Sequence, residues 1–554
     1  MVVESVKVKQ ELDTFIQYEI EDKQIPSISY AVIDGDKTVC SDHLRWTGAE
    51  SIKSLSDATI FRVGSCSKMF TAMALMQQVE KGRIDIDADI SEVIPWFCPK
   101  NPFIDQTTGP TEGDKVTLRK LMSHTSGLVR EPTIGHYLDD RTPSLAEVVD
   151  SIKDSPLKDD PKANVFHYSN AGIAVVGYVI EQITGVNYND YIQQQVLDRI
   201  GMKDSSFTRS PEIDANLASA NMWSMDGDFP APVFDMGGAP AGNLFATLPD
   251  MAEFMKVLVR GGYTENGRAI VTPATLHAMW EAIGFQGKLG YGLGFAVTSL
   301  DGWRTVGHSG AVYGFSTQCV VLPEAQLGIV LCSTLDATNA VISRIGQYAL
   351  RLLLAARGMG KQPPEPTFSK AITERQLSAF AGFYHSDERK ETVEVKAKDG
   401  KLYLMGGGVP LRIQPLSESQ FIVNGRVFGP GSEYPHLDVS FALPEEATAV
   451  SPAMTWKGIQ WKRVPKPVPE TVPGELQPYI GEYGPDFNPT HILYQNGKLE
   501  CLIEYFYTHT LERVAEGLYK MHGLLYEDEP LELDAKDEEG NSGIRVGPMF
   551  LKRR

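Results

Sequence analysis

Apolar residues recur at helical spacing from Val6 to Glu21 and predict an amphipathic first helix. The segment that follows, SISYAVIDGDKTVCS, holds two apolar-rich runs about Asp34, Gly35 and Asp36, the pattern of a β-hairpin. Helical spacing returns after FRVGSCSKMF (Phe61 to Phe70), where MFTAMALMQQVEKG has no proline and stops at Gly82, a residue type favoured just past a helix end. RIDIDADISEVIPWF then reads as irregular, VTLRKLMSHTSGLV as a helix ending about His124 to Gly127, and NVFHYSNAGIAVVGYVIEQITG as a strongly apolar helix ending near Gly185. GYGLGFAV at Gly290 and TVGHSGAVYGFST from Thr305 read as strands broken by glycines that permit close backbone approach, with His308, Ser309 and Gly310 on an edge strand facing a cleft. Helix, hairpin, helices and strands in this order predict helices on an antiparallel sheet.

The last third changes character. GMGKQPPEPTFSK (358–370) and PKPVPETVPG (465–474) are proline-rich linkers. They bracket a repeat: LSAFAGFY at Leu377 returns as LQPYIGEY at Leu476, and DGKLYL at Asp399 returns as NGKLEC at Asn496. Short alternating runs with D-G and N-G turns predict antiparallel hairpins, and a closed barrel removes the exposed strand edges. The expected organisation is a first domain over 1–357 and two small lipocalin-like barrels over 371–464 and 475–554. Small barrels are filled by their own side chains, so these are expected to narrow the cleft or to mediate assembly into a homo-oligomer.

Composition and charge exclude several classes of function. A formal charge of −19 opposes binding to nucleic acid, which relies on clustered Lys and Arg against phosphate. The longest apolar run, Ala171 to Ile180, is about half the ~20 residues of a membrane-spanning helix. The N-terminus lacks the basic, apolar and small-residue order of a secretory signal, so a cytoplasmic protein is expected, with a trimmed periplasmic or secreted form left open. Cys40, Cys66, Cys98, Cys319, Cys332 and Cys501 form no C-x-x-C and are read as free thiols. There is no H-E-x-x-H, Cys cluster, Walker loop or dinucleotide fingerprint, so no metal and no cofactor are expected.

The candidate chemistry lies in three short stretches. Ser65 precedes Lys68 by three positions at the start of a predicted helix, so the ammonium can reach back to the hydroxyl. An alcohol needs an adjacent base, and lysine serves as one when burial or nearby cations lower its pKa. Tyr168 and Asn170 sit at the start of the apolar helix, the phenol as a proton shuttle and the amide as a donor to a substrate carbonyl or to a lysine. His308, Ser309 and Gly310 form the third, where the N–H of Ala311 joins that of Ser65 as a candidate oxyanion hole. His124 and Ser126 offer a rival serine-histidine pair, but neighbours in one turn rarely align as nucleophile and base, which favours bracing of the loop.

Ser65-x-x-Lys68, Tyr168-Ser169-Asn170 and His308-Ser309-Gly310, in this order and with the phrases LRKLMSHTSGL and YGLGF, resemble the motifs of the penicillin-recognising serine hydrolases. The likeness is greatest to the class C β-lactamase, D-aminopeptidase and esterase branch. It implies a helical subdomain beside an α/β subdomain with an antiparallel sheet, the site between them, and acylation of Ser65 with Lys68 and Tyr168 sharing the proton traffic. Asn170 and His308 would then orient the substrate and the proton network. The family's β-lactamases and DD-peptidases usually carry lysine where this chain has His308, and histidine is mostly neutral at pH 7. H-S-G is similar to the D-aminopeptidase and esterase members, and a catalytic domain with two barrels is similar to D-aminopeptidase. The expected activity is hydrolysis of a small amide or peptide. The alternatives are an esterase or transesterase, and a weak β-lactamase or penicillin-binding sensor that does not turn over.

Overall fold

The computed structural model describes residues 2–554 apart from 49–53, 108, 225–226, 284–289, 367, 369, 407–408, 424–437, 444–448, 469, 506 and 524. Thr367, Ser369 and Pro469, in the two proline-rich stretches, thus lie outside the described residues. The chain forms two compact units, one built mainly from residues up to Pro363 and the other mainly from those after it.

In the first unit, α1 (Val2–Lys23) buries Leu12, Phe15, Ile16 and Ile20, the stripe that its sequence spacing predicts. The hairpin β1 (Ser27–Asp34) and β2 (Lys37–Arg45) turns through Gly35 at φ +63°. The helices that follow include α2 (Ser67–Glu80), α3 (Leu118–Met122) and α4 (Asn170–Thr184). Ser169 caps α4 by accepting the Gly172 N–H at 2.8 Å, and Gly185 ends it at φ +68°. After α5 (Leu248–Val259) come β3 (Gly290–Tyr291), β4 (Ala296–Leu300), β5 (Trp303–Val312), β6 (Phe315–Leu322), β7 (Leu327–Ser333) and α6 (Asn339–Ala356). The seven strands form one antiparallel sheet in the order β2-β1-β7-β6-β5-β4-β3. Central β7 is buried at every position, and both α5 and α6 pack on it.

One expectation needs correction: β5 is not an edge strand. It has β6 on one side and β4 on the other. The β4–β5 hairpin is short, however, and Ala296 meets Gly307, so the stretch from His308 to Val312 pairs with β6 alone. That half-free flank receives the turn that carries Ser65. A Cβ on Gly310 would lie 2.0 Å from the Val63 carbonyl oxygen, and one on Gly64 (φ +54°) would lie 2.9 Å from the Ala311 nitrogen. Only glycine lets the two backbones pass so closely.

The second unit carries the repeat. Eight strands, from Gly382–Ser386 to Ile459–Val464, close into a barrel through pairs such as Tyr384 with Arg463. Eight more run in consecutive order from Gly481–Tyr483 to Met549–Lys552, and their ends approach closure through Gly484 N–H to Lys552 O at 2.8 Å and Arg554 N–H to Glu482 O at 3.0 Å. The repeated turns, Asp399-Gly400 and Asn496-Gly497, have positive φ at both residues, as a two-residue hairpin loop requires. A lock recurs as well. Tyr384 donates to Phe380 O at 2.8 Å and Tyr483 to Tyr479 O at 2.7 Å. Arg463 donates to the carbonyls of Ala379 and Ala381 and Arg553 to those of Pro478 and Ile480, each guanidinium lying over the tyrosine. No helix among the described residues is long and apolar enough to cross a membrane.

Candidate active site

Ser65 lies in a 3-10 turn, Gly64–Cys66, that leads directly into α2, and it is partly exposed while its neighbours are buried. One turn on, Lys68 is fully buried, and its Nζ donates to Ser65 Oγ at 3.0 Å and to Ala241 O at 2.7 Å. Burial lowers the Lys68 pKa to about 7; nearby Glu131 opposes the shift and Arg130 adds to it. Close to neutral pH this lysine is therefore available as a neutral amine.

Tyr168, in the extended stretch just before α4, has the Ser65 side chain beside its phenol, close enough to oppose part of the effect of burial on it. Its ring lies 4.9 Å from Lys68 Nζ and 5.2 Å from the Arg130 guanidinium. Burial raises the phenol above its ordinary range, so it is protonated at neutral pH. Asn170, the first residue of α4, donates its Nδ2 to Glu131 Oε1 at 2.6 Å rather than to Lys68. Glu131 is itself buried and 3.4 Å from Arg130 Nε, so charge beside Lys68 is balanced by a pair.

On β5, His308 is buried and uncharged, its pKa lowered to about 3 by burial and by nearby Lys68. A carbonyl only accepts, so Nδ1 carries the proton and donates to Ser309 O at 2.5 Å, and Nε2 accepts from the Tyr291 hydroxyl at 2.7 Å. His308 thus reaches Tyr291, whose ring packs 6.5 Å from that of Tyr168. The neighbouring Ser309 alternates to the opposite side of the strand, and the Gly310 and Ala311 backbone lies against Gly64 and Ser65. Cys66 donates its thiol to His308 O at 3.3 Å, a second tie between the serine turn and β5.

The structure brings Ser65 and Lys68 into hydrogen-bond contact, places the Tyr168 ring against Lys68 and sets the third motif beside them. It does not join the rival pair, since Ser126 Oγ accepts the Leu128 N–H while His124 turns its ring to Tyr168. Sequence reasoning missed Arg130, Glu131, Ala241 and Tyr291. Two charges interrupting the apolar run after SGLV, and a tyrosine opening YGLGF, were the available signals.

A family model described as Beta-lactamase matches residues 12–352. Penicillin-binding protein 4 of Amycolatopsis lactamdurans is 26% identical over 313 residues, which is 54% of this chain and 78% of that relative. The chain spans less than two thirds of several other curated relatives that it matches. Among solved structures, the octameric penicillin-binding protein homologue from Pyrococcus abyssi has a TM-score of 0.56 at 23% identity, covering 82% of this chain and 99% of that one. A D-amino acid amidase from Ochrobactrum anthropi SV3 has a TM-score of 0.53 at 19% identity, covering 63% of this chain and 99% of the other. At these identities the likeness to the two structures is one of fold.

Proposed function

This chain belongs to the beta-lactamase family, and on that premise we propose a serine hydrolase that works through an acyl-enzyme on small amides or peptides, in the manner of a D-aminopeptidase or D-amino acid amidase. The observation that carries the reading is the buried Lys68 amine, 3.0 Å from a partly exposed Ser65 hydroxyl. Ser65 Oγ attacks the substrate carbonyl while neutral Lys68 takes its proton. Tyr168, beside the same serine, passes a proton to the leaving amine and regains one from the Lys68 ammonium, which returns to a neutral amine. The N–H groups of Ser65 and Ala311 hold the oxyanion, and water then attacks the acyl carbon to release the acid. Asn170, Ser309 and Gly310 orient the substrate, and His308 holds the network in place through Tyr291.

The neutral His308 favours this reading over strong β-lactamase action. A substrate carboxylate at the third motif would meet an imidazole with its pKa near 3 instead of a permanent cation. The deciding test is turnover of a D-amino acid p-nitroanilide, its L isomer, p-nitrophenyl esters and a chromogenic cephalosporin, alongside intact-protein mass spectrometry and Ser65→Ala. Turnover of the D-anilide that is lost in Ser65→Ala supports the proposal. Ester turnover alone assigns an esterase, and a lasting adduct on Ser65 without turnover assigns a sensor. The barrels are the proposed assembly surface of a homo-oligomer, and a monomeric mass by light scattering would refute that part.

A further inference from the structure

Helix α3 ends with two backbone bonds, His124 N–H to Leu121 O at 3.4 Å and Thr125 N–H to Lys120 O at 2.9 Å, the Schellman form of a helix terminus. The residue just past the cap takes a left-handed backbone, a place glycine fills without strain. Here it is His124, at φ +59°. A strained non-glycine residue persists where its surroundings hold it, so the side chain is the place to look for the reason.

The imidazole is fully buried and enclosed by rings, with centroids 4.3 Å away for Tyr168, 4.6 Å for Tyr291 and 5.8 Å for Phe166. Two hydrogen bonds tie His124 to the residues on either side of Tyr168. His167 N–H donates to His124 O at 2.7 Å, and Ser169 N–H donates to His124 Nδ1 at 3.1 Å. Because Nδ1 accepts, Nε2 carries the proton, and among the described residues no acceptor meets it. Burial, with Lys68 close by, holds the ring uncharged. Uncharged, it supplies an acceptor to Ser169 without placing a second cation beside Lys68.

We propose that His124 is the positioning residue for Tyr168, clamping its backbone from both flanks and its ring from one face so that the phenol stays beside Ser65 and Lys68. The proposal rests on the reading of Tyr168 as the proton carrier. A helix terminus alone would be served better by glycine or asparagine, and a filled core by an apolar side chain. Neither supplies the ring and the acceptor together. Its neighbour Ser126, which shares the loop, makes none of these contacts with Tyr168 and takes the Leu128 N–H instead.

Two variants separate the parts of the clamp. His124→Asn keeps a side-chain acceptor and tolerates a left-handed backbone but loses the ring, while His124→Phe keeps the ring and loses the acceptor. Each is examined in the full chain with 3-fluorotyrosine at position 168, by fluorine NMR and by steady-state hydrolysis of the D-amino acid anilide. The expected result is a shifted or broadened fluorine resonance in both, with kcat down about 10²-fold, the scale of a misplacement near 1 Å, and KM changed less than about twofold. An unchanged resonance and wild-type kcat in a folded His124→Asn protein overturn the proposal. If the wild type turns over no substrate, the proposed function fails, and the fluorine resonance still decides whether His124 positions Tyr168.

Discussion

At the scale of the residue, the proposed role of Lys68 as the base rests on its burial. With the Lys68 pKa at about 7, kcat/KM is expected to rise with pH through an acid limb near that value, as the ammonium becomes an amine. Lys68→Arg stays protonated throughout and is expected to be inactive at every pH, measured as the pH–rate profile on the D-anilide. The same shift affects stability. The folded-state pKa lies below the ordinary lysine value near 10.5, so between about 7 and 10.5 the unfolded chain binds more protons and stability rises with pH. Lys68→Met should flatten that rise, read from urea unfolding at pH 7 and pH 9. The Ser65 and Lys68 pair was legible because three residues make one helical turn. Glu131 and Tyr291 were not, because Glu131 comes near Lys68 from a loop distant in sequence and Tyr291 meets His308 from another strand, β3.

At the scale of the element, the serine turn and β5 are fitted by the absence of side chains. A Cβ at Gly310 would overlap the Val63 carbonyl, so Gly310→Ala must move the turn or the strand. It is expected to destabilise the protein by about 1–3 kcal/mol, as overpacking does, and to slow labelling of Ser65 by a fluorophosphonate followed by intact mass. The glycines in VGHSGAV did announce close backbone approach. What they could not announce was which backbone approaches, and the edge-strand expectation failed for that reason: strand order depends on pairings between distant segments.

At the scale of the whole molecule, two compact units imply cooperative unfolding by parts, each with its own core. Arg463 joins the first barrel's closing strand to the carbonyls of Ala379 and Ala381. Arg463→Met leaves those acceptors unmatched, a loss of about 1–3 kcal/mol, and should lower one calorimetric transition while the rate of Ser65 labelling stays unchanged. A fall in labelling rate equal to the loss in the barrel would refute that independence. The repeat was legible here too, since an N-G or D-G dipeptide admits few turns and a period near 100 residues admits two copies. The Arg463 and Arg553 locks were not, because each joins residues 73 to 84 positions apart.

Local features follow from the order of residues alone: helix periods, hairpin turns, the one-turn spacing of Ser65 and Lys68, and the α4 start beside Tyr168 and Asn170. These follow from backbone geometry over a few residues, where the alternatives are few. Tertiary structure decided the rest. It alone put Ala241 O on Lys68, Glu131 on Asn170, Tyr291 on His308 and His124 against Tyr168. The lowered lysine pKa belongs to that second class, because desolvation is a property of everything packed around a group, and no spacing along the chain encodes it.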